Sequence, residues 1–451
     1  MRTWMTVLAV LMLPVAAVLA QEQGPSGDAA LGTHSYDDYD SPDNCGPMCH
    51  NNIYQQWRRA MMSQSYTHHW DEIEYFVLAL PHAEKVEKVS GVKTGCNGCH
   101  APLAFFAGDI PPKRPAEGTR ANEGVSCEIC HTAIGFEGDT PYNFNFISSP
   151  GEIKYGPRKG DLSPAHSMTK SDFHGSAEFC GTCHNEQSPF GAWVKATHLE
   201  WKEGPYAAEG VICQDCHMTY APGTSAEGGT EYADVRQHTF HGAHNADKLR
   251  GAVELGVYPD ENEVKAGGTV TFTVTLFNQK PGHKFPTGSV EDRILWLHVE
   301  ARDAAGKVYH LPVDPKGFEG EGYTIAADVK AYQDMAVPLD KPDFEGVARD
   351  GIPVGDRIFR MAYLDPEGRM TIQQWNTASF GPDYRFAPRE TKLEHFTFKV
   401  PEDAAPGTLT VTAVLNYQKL VKPVADFLNV PDDEAAIVVV NDETATVAIK
   451  P

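Results

Sequence analysis

The second half of the chain is dominated by a strict alternation of apolar and polar positions. In the segment TVTFTVTLF the threonines alternate with the apolar side chains of Val270, Phe272, Val274 and Leu276. This period of two is typical of a β-strand with one buried face. The segments ILWLHVEA, LEHFTFKV, TLTVTAVL and AIVVV…TATVAI have a similar style, and turn sequences such as DAAGK and PEDAAPG separate them. Several short strands at such intervals predict an all-β sandwich domain over residues 251–451.

The first half has no apolar pattern of comparable length. Between residues 45 and 250, short stretches with helical spacing, such as IYQQWRRAMMSQ, alternate with Pro- and Gly-rich connections such as IPPKRPAEGTRANEG. Because such connections interrupt regular structure, we predict a mostly helical or irregular domain here, after an irregular polar leader at 21–44. The predicted fold class is therefore α+β with two domains. The mostly helical or irregular domain spans residues 45–250, and the β-sandwich domain spans residues 251–451.

Residues 1–20 have a different character and read MRTWMTVLAVLMLPVAAVLA. One arginine followed by an apolar run and small residues is typical of a secretory signal peptide. We expect cleavage near Gln21 and export of the mature protein to the periplasm or the cell exterior. No later stretch is long and apolar enough to predict a membrane span.

The acidic composition narrows the range of partners. The formal net charge is −23. A surface of this sign repels nucleic acid and attracts basic partners, so we expect no nucleic-acid partner. Most of this charge is interpreted as an ordinary solvated exterior.

All ten cysteines belong to one repeated arrangement, in which two cysteines are followed directly by a histidine. The pairs are Cys45 and Cys49, Cys96 and Cys99, Cys127 and Cys130, Cys180 and Cys183, and Cys213 and Cys216. The histidines are His50, His100, His131, His184 and His217. C-x-x-C-H is the attachment signal of a c-type haem, in which both thiols bond to the porphyrin and the histidine binds the iron. Zinc sites do not require a histidine after each second cysteine, so we predict five covalent haem c groups, one for each motif.

The first motif, CGPMCH, leaves an alternative open because it has one more residue between its cysteines than the others. A disulfide between Cys45 and Cys49 would explain the same pair, with His50 incidental. The sequence after the motif looks like that of the other haem segments, and this favours a fifth haem.

Several segments between residues 45 and 290 form a specific combination. They are CHNNIYQQWRRAMMS, EGVSCEICH, AEFCGTCH, EWKEGPYAAEGVICQDCHM, RQHTFHGAH and NQKPGHKFPTG. In this combination the chain resembles the multihaem c-type cytochromes grouped with the tetrahaem electron acceptor of hydroxylamine oxidoreductase. The resemblance implies haems stacked in close pairs, mostly bis-histidine ligation, and electron transfer as the role. The chain departs from the pattern in having five motifs, and in having Met62 where related sequences often have histidine.

A second axial ligand for each iron would make the haems six-coordinate and suited to electron transfer. The cluster HTFHGAH follows the last motif and offers His238 and His244. His283 lies in the tight turn GHKFP, from which it would reach from the β-domain into the haem domain. For one of the first haems the candidates are His68 and His69, of which we choose His69.

One further ligand, His166, is implied by the resemblance, since it precedes the fourth motif as a distal ligand does in relatives. Three other histidines lie in predicted strands and are interpreted as ordinary surface or core residues; they are His298, His310 and His395.

We interpret the chain as an electron carrier between redox partner proteins, rather than as an enzyme. One alternative is an oxidoreductase with an open haem site for a small nitrogen or sulfur compound, whose pocket could use Lys154, Tyr155, Arg158 and Lys159. Another is a homo-oligomer or an assembly with other cytochromes. No motif lacks its histidine, which is the change that would mark a specialised catalytic haem.

Overall fold

The computed structural model describes residues 30–160, 163–315, 330–334 and 346–451. The predicted signal peptide at 1–20 and the first part of the leader lie outside the described residues. The described part of the leader contains a 3₁₀-helix at Tyr36–Asp38, and the first α-helix begins at Pro42, where Ser41 accepts a hydrogen bond from the Asp43 amide.

The first half of the chain is built from short helices, as predicted. They are α1 Pro42–Cys49, α2 Asn51–Arg58, α3 Met61–Gln64, α4 His69–Ile73, α5 Leu80–Lys85, α6 Val92–His100, α7 Pro102–Ala107, α8 Cys127–His131, α9 Glu178–His184, α10 Thr197–Lys202, α11 Pro205–Ala208, α12 Cys213–His217 and α13 Ala246–Leu249. A π-helical segment, Glu74–Ala79, joins α4 to α5.

Short strand pairs also occur in this half, which the sequence did not predict. The strands are β1 Ala133–Phe136, β2 Phe146–Ser148, β3 Ile153–Gly156, β4 Ser167–Lys170, β5 Asn185–Gln187, β6 Trp193–Ala196, β7 Tyr220–Thr224 and β8 Glu231–Arg236. Each pairs with its neighbour in the chain, and the β3–β4 pair is parallel. These strands are too short and too polar to show the alternation on which the prediction relied.

The second half is rich in β-strands, as predicted. They are β9 Val253–Pro259, β10 Glu263–Lys265, β11 Thr269–Asn278, β12 Ile294–Arg302, β13 Val308–His310, β14 Arg357–Phe359, β15 Met361–Leu364, β16 Ser379–Asp383, β17 Thr391–Lys399, β18 Gly407–Gln418 and β19 Ile437–Lys450. One sheet has the order β10-β19-β18-β12-β13 with β14 also on β12, and a second has the order β17-β11-β9. A helix, α14 Lys422–Leu428, lies between β18 and β19.

The two larger sheets share one apolar core. The apolar positions of β11 are buried, and they lie in one cluster with side chains of β12 and β18 such as Leu297 and Leu415. The alternation in TVTFTVTLF therefore corresponds to a strand with one buried face, and burial of these side chains is a main source of stability for the β-half.

The two halves of the chain also pack against each other. A second apolar cluster combines Trp70 and Leu78 of the first half with Trp296, Trp375 and Leu428 of the second. Polar contacts cross the same boundary, including a hydrogen bond of 2.7 Å from Ser188 Oγ to the Thr377 carbonyl. The β-half is thus a structural neighbour of the cysteine motifs.

Candidate functional site

Each cysteine motif lies at the C-terminal end of a short helix. The helices α6, α8, α9 and α12 end at the motif histidine, whereas α1 ends at Cys49 and His50 follows it. Side chains three or four residues apart are neighbours on a helix surface, so the two cysteines of each motif lie close together. The longer spacing of Cys45 and Cys49 keeps this arrangement.

Cysteine side chains of different motifs lie next to one another. Cys45 is a neighbour of Cys127, Cys99 of Cys183, and Cys180 of Cys213. No disulfide joins any two of the ten cysteines, all of which lie in the described residues. The fourth motif therefore contacts both the second and the fifth, and the first contacts the third, so the order of the motifs in space differs from their order in the chain.

Four of the motif histidines are oriented by backbone carbonyls from distant segments. Each donates a hydrogen bond from Nδ1 to a carbonyl oxygen. The pairs are His50 to Ser225 (2.7 Å), His100 to Ser65 (2.8 Å), His131 to Tyr155 (2.7 Å) and His217 to His241 (2.7 Å). Because a carbonyl oxygen can only accept, the proton must be on Nδ1. The Nε2 atom of each ring is then left with a free lone pair, as metal-ligating histidines require.

Three motif histidines face a second imidazole at a separation that suits one metal ion between them. The ring centroids are 6.2 Å apart for His50 and His166, 6.3 Å for His131 and His238, and 6.3 Å for His217 and His283. Two imidazoles that bind one metal from opposite sides, at about 2 Å each, have centroids about 6 Å apart.

The facing rings are oriented in the same way as the motif rings. His238 Nδ1 donates to the Arg236 carbonyl over 3.1 Å, and His283 Nδ1 donates to the Lys284 carbonyl over 2.8 Å. Both rings therefore keep Nε2 free for a metal. His166, which was predicted from its position before the fourth motif, lies against the histidine of the first motif.

A further histidine, His174, lies 6.0 Å from the His131 ring but is oriented differently. Its Nε2 atom donates to the Cys130 carbonyl over 2.8 Å. That nitrogen therefore carries the proton, and His238 is the better placed partner of His131. His174 was not among the predicted ligands, because no motif or turn distinguishes it in the sequence.

Burial favours the neutral form of three of the buried imidazoles. It lowers the pKa of His184, His217 and His238 to about 4, with positive neighbours adding to the effect. Neutral imidazole is the form that binds a metal, so the buried rings are in the required protonation state at neutral pH.

The other two predicted ligands, His69 and His244, lie together in a separate cluster. His69 Nε2 is 3.2 Å from a Glu434 oxygen, and the ring of His244 meets that of His68 edge-on with centroids 5.4 Å apart. His68 itself lies between Asp71 and Glu434, at 3.1 Å from each. In the described part of the chain, these rings contact one another rather than a motif histidine.

The second motif borders a small cleft. Its lining includes Asp71, Glu74, Tyr75, His100 and Trp375. Burial raises the pKa of the Glu74 carboxyl to about 8. Within the described ranges, His100 and His184 have no ring contact with a second histidine, so the second and fourth motifs differ from the other three.

Two of the basic residues considered for a catalytic pocket, Lys154 and Arg158, have structural partners. Lys154 Nζ lies 2.8 Å from the buried Glu128 carboxylate, and Arg158 pairs with Asp234 at 2.8 Å. The Tyr155 carbonyl accepts the bond from His131. The segment thus supports the third motif.

The residues of the motifs fit a covalent haem. The paired cysteines could attach the porphyrin, and at the first, third and fifth motifs the motif histidine and its facing imidazole could both bind the iron. Across the described residues, the structure has no helix with the length and apolar character needed to cross a bilayer.

Comparison with known proteins agrees with this class of site. The family model described as cytochrome c554 and c-prime matches residues 44–132, which contain the first three motifs. A search of curated proteins finds no significant relative. The family match and the fold described below together support a multihaem c-type cytochrome.

The fold is similar to that of a penta-haem cytochrome c552 from Thermochromatium tepidum. The TM-score is 0.61 at 20% sequence identity, and the match covers 92% of this chain and 99% of that one. Two other structures match weakly: a DNA glycosylase, AlkC, from Pseudomonas fluorescens (TM-score 0.18, 7% identity, 46% of this chain and 34% of that one) and Spo0M from Bacillus subtilis (0.17, 11%, 45% and 50%). Scores this low support no argument about the fold.

Proposed function

We propose that this chain is an exported penta-haem c-type cytochrome that carries electrons between redox partner proteins. The observation that carries the proposal is the set of three motif histidines that each face a second imidazole about 6 Å away. Haem bound at these motifs would supply one-electron oxidation and reduction of iron. The similarity to the penta-haem cytochrome c552 supports the fold on which this proposal rests.

The chain itself contributes proximity, orientation and exclusion of water. The folded chain places the first motif beside the third, and the fourth beside the second and fifth. Backbone carbonyls fix the tautomer of four motif histidines, and burial lowers the pKa of His184, His217 and His238. These features hold the sites close together with little rearrangement, as repeated electron transfer requires.

We assign the ligands accordingly. The cysteine pairs of all five motifs, including Cys45 and Cys49, attach haem, and the histidine after each pair is the proximal ligand. His166, His238 and His283 are distal ligands for the first, third and fifth motifs. His69 and His244 stay predicted ligands, for which the second motif is the nearest candidate because Asp71 contacts both His68 and His100.

The remaining parts of the proposal concern organisation. We propose a haem domain at 45–250 and a β-sandwich domain at 251–451, since two sheets of the second half share one core. From the sequence alone, we propose that residues 1–20 are removed and that the mature protein is exported to the periplasm or the cell exterior. Redox partner proteins, and a homo-oligomer or an assembly with other cytochromes, are likewise proposed.

The test is a haem count combined with the spin state of the iron. The pyridine haemochrome assay should give five haems per chain, and the air-oxidised protein should show mainly low-spin signals in EPR. A His283→Ala variant should keep five haems and convert one of them to high spin. His395→Ala is the matched control, because its ring lies on the outer face of a strand and bonds Thr273 there.

Several outcomes would contradict the proposal. A count of four haems per chain would favour a disulfide between Cys45 and Cys49 instead of haem attachment. An unchanged EPR spectrum in His283→Ala would remove that residue from the ligand set, and a spectral change in the control would show that the effect is indirect.

A second candidate function is an oxidoreductase that acts on a small nitrogen or sulfur compound. The cleft beside the second motif favours it, because His100 faces carboxylates and aromatic rings there instead of a second imidazole. About one equivalent of high-spin iron in the unmodified protein, shifted by added nitrite or sulfite, would support this function over a simple carrier.

A further inference from the structure

Three side chains from neighbouring strands meet at one edge of the larger sheet. His298 belongs to β12 and His310 to β13, which pairs with β12. Asp356 directly precedes β14, which pairs with the other end of β12. From the sequence, both histidines were interpreted as ordinary strand residues. None of the three residues belongs to a haem motif.

The three residues are close enough to share one ion. His298 Nδ1 lies 3.0 Å from each oxygen of the Asp356 carboxylate, and His310 Nε2 lies 2.7 Å from Oδ1. The two rings are nearly parallel, with centroids 5.2 Å apart and an interplanar angle of 7°. Donors that bind one ion at about 2.1 Å lie about 3.0 to 3.4 Å from one another, so only small movements would admit the ion.

The carboxylate is fixed in place and buried, whereas the rings are partly open to solvent. Asp356 has a side-chain exposure of 0%, against 29% for His298 and 34% for His310. Its backbone is held by a hydrogen bond of 2.5 Å from Arg349 Nη2 to the Asp356 carbonyl. A buried anion requires a nearby cation or hydrogen-bond donors, and the exposed rings leave an entry path and room for water ligands.

The ligand set indicates the class of ion. Two imidazoles and one carboxylate suit borderline ions such as Zn²⁺ or Cu²⁺, whereas Mg²⁺ and Ca²⁺ prefer oxygen ligands alone. We propose that His298, His310 and Asp356 form a binding site for a divalent transition-metal ion of this class. The site is independent of the proposed electron-transfer function, because its ligands lie outside the motifs.

The experiment measures zinc bound by the haem-loaded protein. The protein is dialysed against a chelator, which leaves covalent haem in place, and then equilibrated with micromolar Zn²⁺. Elemental analysis gives zinc per chain, with haem iron as the internal standard. We expect about one equivalent of zinc per chain to be bound by His298, His310 and Asp356. The melting temperature should rise when zinc is added.

The variants are chosen to keep the hydrogen bonds of Asp356. His298→Asn places an amide near the position of Nδ1, and His310→Gln places one near the position of Nε2. Each should weaken zinc binding at least tenfold and abolish the zinc-dependent rise in melting temperature. His395→Asn is the matched control on β17 and should bind zinc like the unmodified protein.

Two results would overturn the proposal. The first is an unmodified protein that binds no zinc at micromolar concentrations. The second is a pair of site variants that bind as much zinc as the control, which would place the ion elsewhere, for example at the cluster of His68, His244 and Glu434.

Discussion

A buried ion pair between Glu200 and Arg385 joins the two halves of the chain. Arg385 Nη1 lies 2.7 Å from Glu200 Oε1, and the side chains of Arg385 and Glu200 are 4% and 6% exposed, respectively. Arg385 also binds both oxygens of Asp383, with Nε and Nη2 each at 2.9 Å. Thr287 donates to the other oxygen of Glu200 over 2.6 Å. Replacement of Arg385 by methionine would keep much of its apolar stem and remove the charge.

The expected cost follows from the group that is left behind. In Arg385→Met, the Glu200 carboxylate stays buried without a cation, and loss of one partner of such a pair costs about 3–5 kcal/mol. Glu200→Gln leaves Arg385 paired with Asp383, so only about 1.5–3 kcal/mol should be lost with the charged hydrogen bond. The double variant should be more stable than Arg385→Met alone, because it has no stranded carboxylate at position 200.

The measurement is urea unfolding of the haem-loaded protein, followed by far-UV circular dichroism. The control is Arg389→Met, because Arg389 pairs with Glu209 across the same boundary at 2.5 Å while both side chains are nearly half exposed. Solvent screens an exposed pair, so this variant should change stability little.

The comparison of the variants can refute the reasoning. A loss below about 1 kcal/mol in Arg385→Met would mean that water reaches the pair and that burial does not control its energy. A double variant whose loss equals the sum of the single losses would show that the two residues do not act as a pair.

Two other predictions concern the first motif and the response to acid. Gly46→Ala should lower the haem count from five to four in the pyridine haemochrome assay, because a Cβ at Gly46 would lie 2.7 Å from that of Tyr54; an unchanged count would show that α1 can shift. Burial raises the pKa of Asp383, but bonds from Arg385 and Lys284 outweigh it and lower the pKa to about 2. Because the pKa is lower in the folded state, the ionised carboxylate stabilises the fold at pH values above the unfolded-state pKa of 3.8. This stabilisation is lost as the pH falls toward 2. Asp383→Asn should therefore unfold more easily at neutral pH, and its urea midpoint should fall less than that of the unmodified protein between neutral pH and about pH 3.

The sequence predicted those features that depend on local patterns. Alternation identified β11 and β18, in which every second residue is apolar and buried over most of the strand. Their apolar content identified β12, β17 and β19, although these strands alternate less regularly. The cysteine motifs were evident for a similar reason, since attachment to one porphyrin fixes the spacing of Cys127 and Cys130. The short ladders such as β3–β4 lack any such local requirement.

Contacts between distant residues could not be predicted in this way. His166 meets His50 although many other histidines were available, and its position depends on the parallel β3–β4 pair that the sequence did not reveal. Likewise, the pairing of β12 with both β13 and β14 brings His298 and His310 to Asp356. Strand pairing is a property of the whole fold, and no spacing along the chain encodes it.

The position of His283 has a consequence for how the protein matures. The loop that carries it is held by Asn278, whose amide donates to the Phe386 carbonyl over 3.2 Å, and by the pairing of Phe285 with Phe386. The ribosome must therefore synthesise the chain well past the last cysteine motif before the imidazole opposite His217 can take its place. A protein shortened after residue 250 could still present every cysteine to the attachment machinery, yet it would lack the partner of its fifth motif. Completion of the last site would thus report that the β-half has folded.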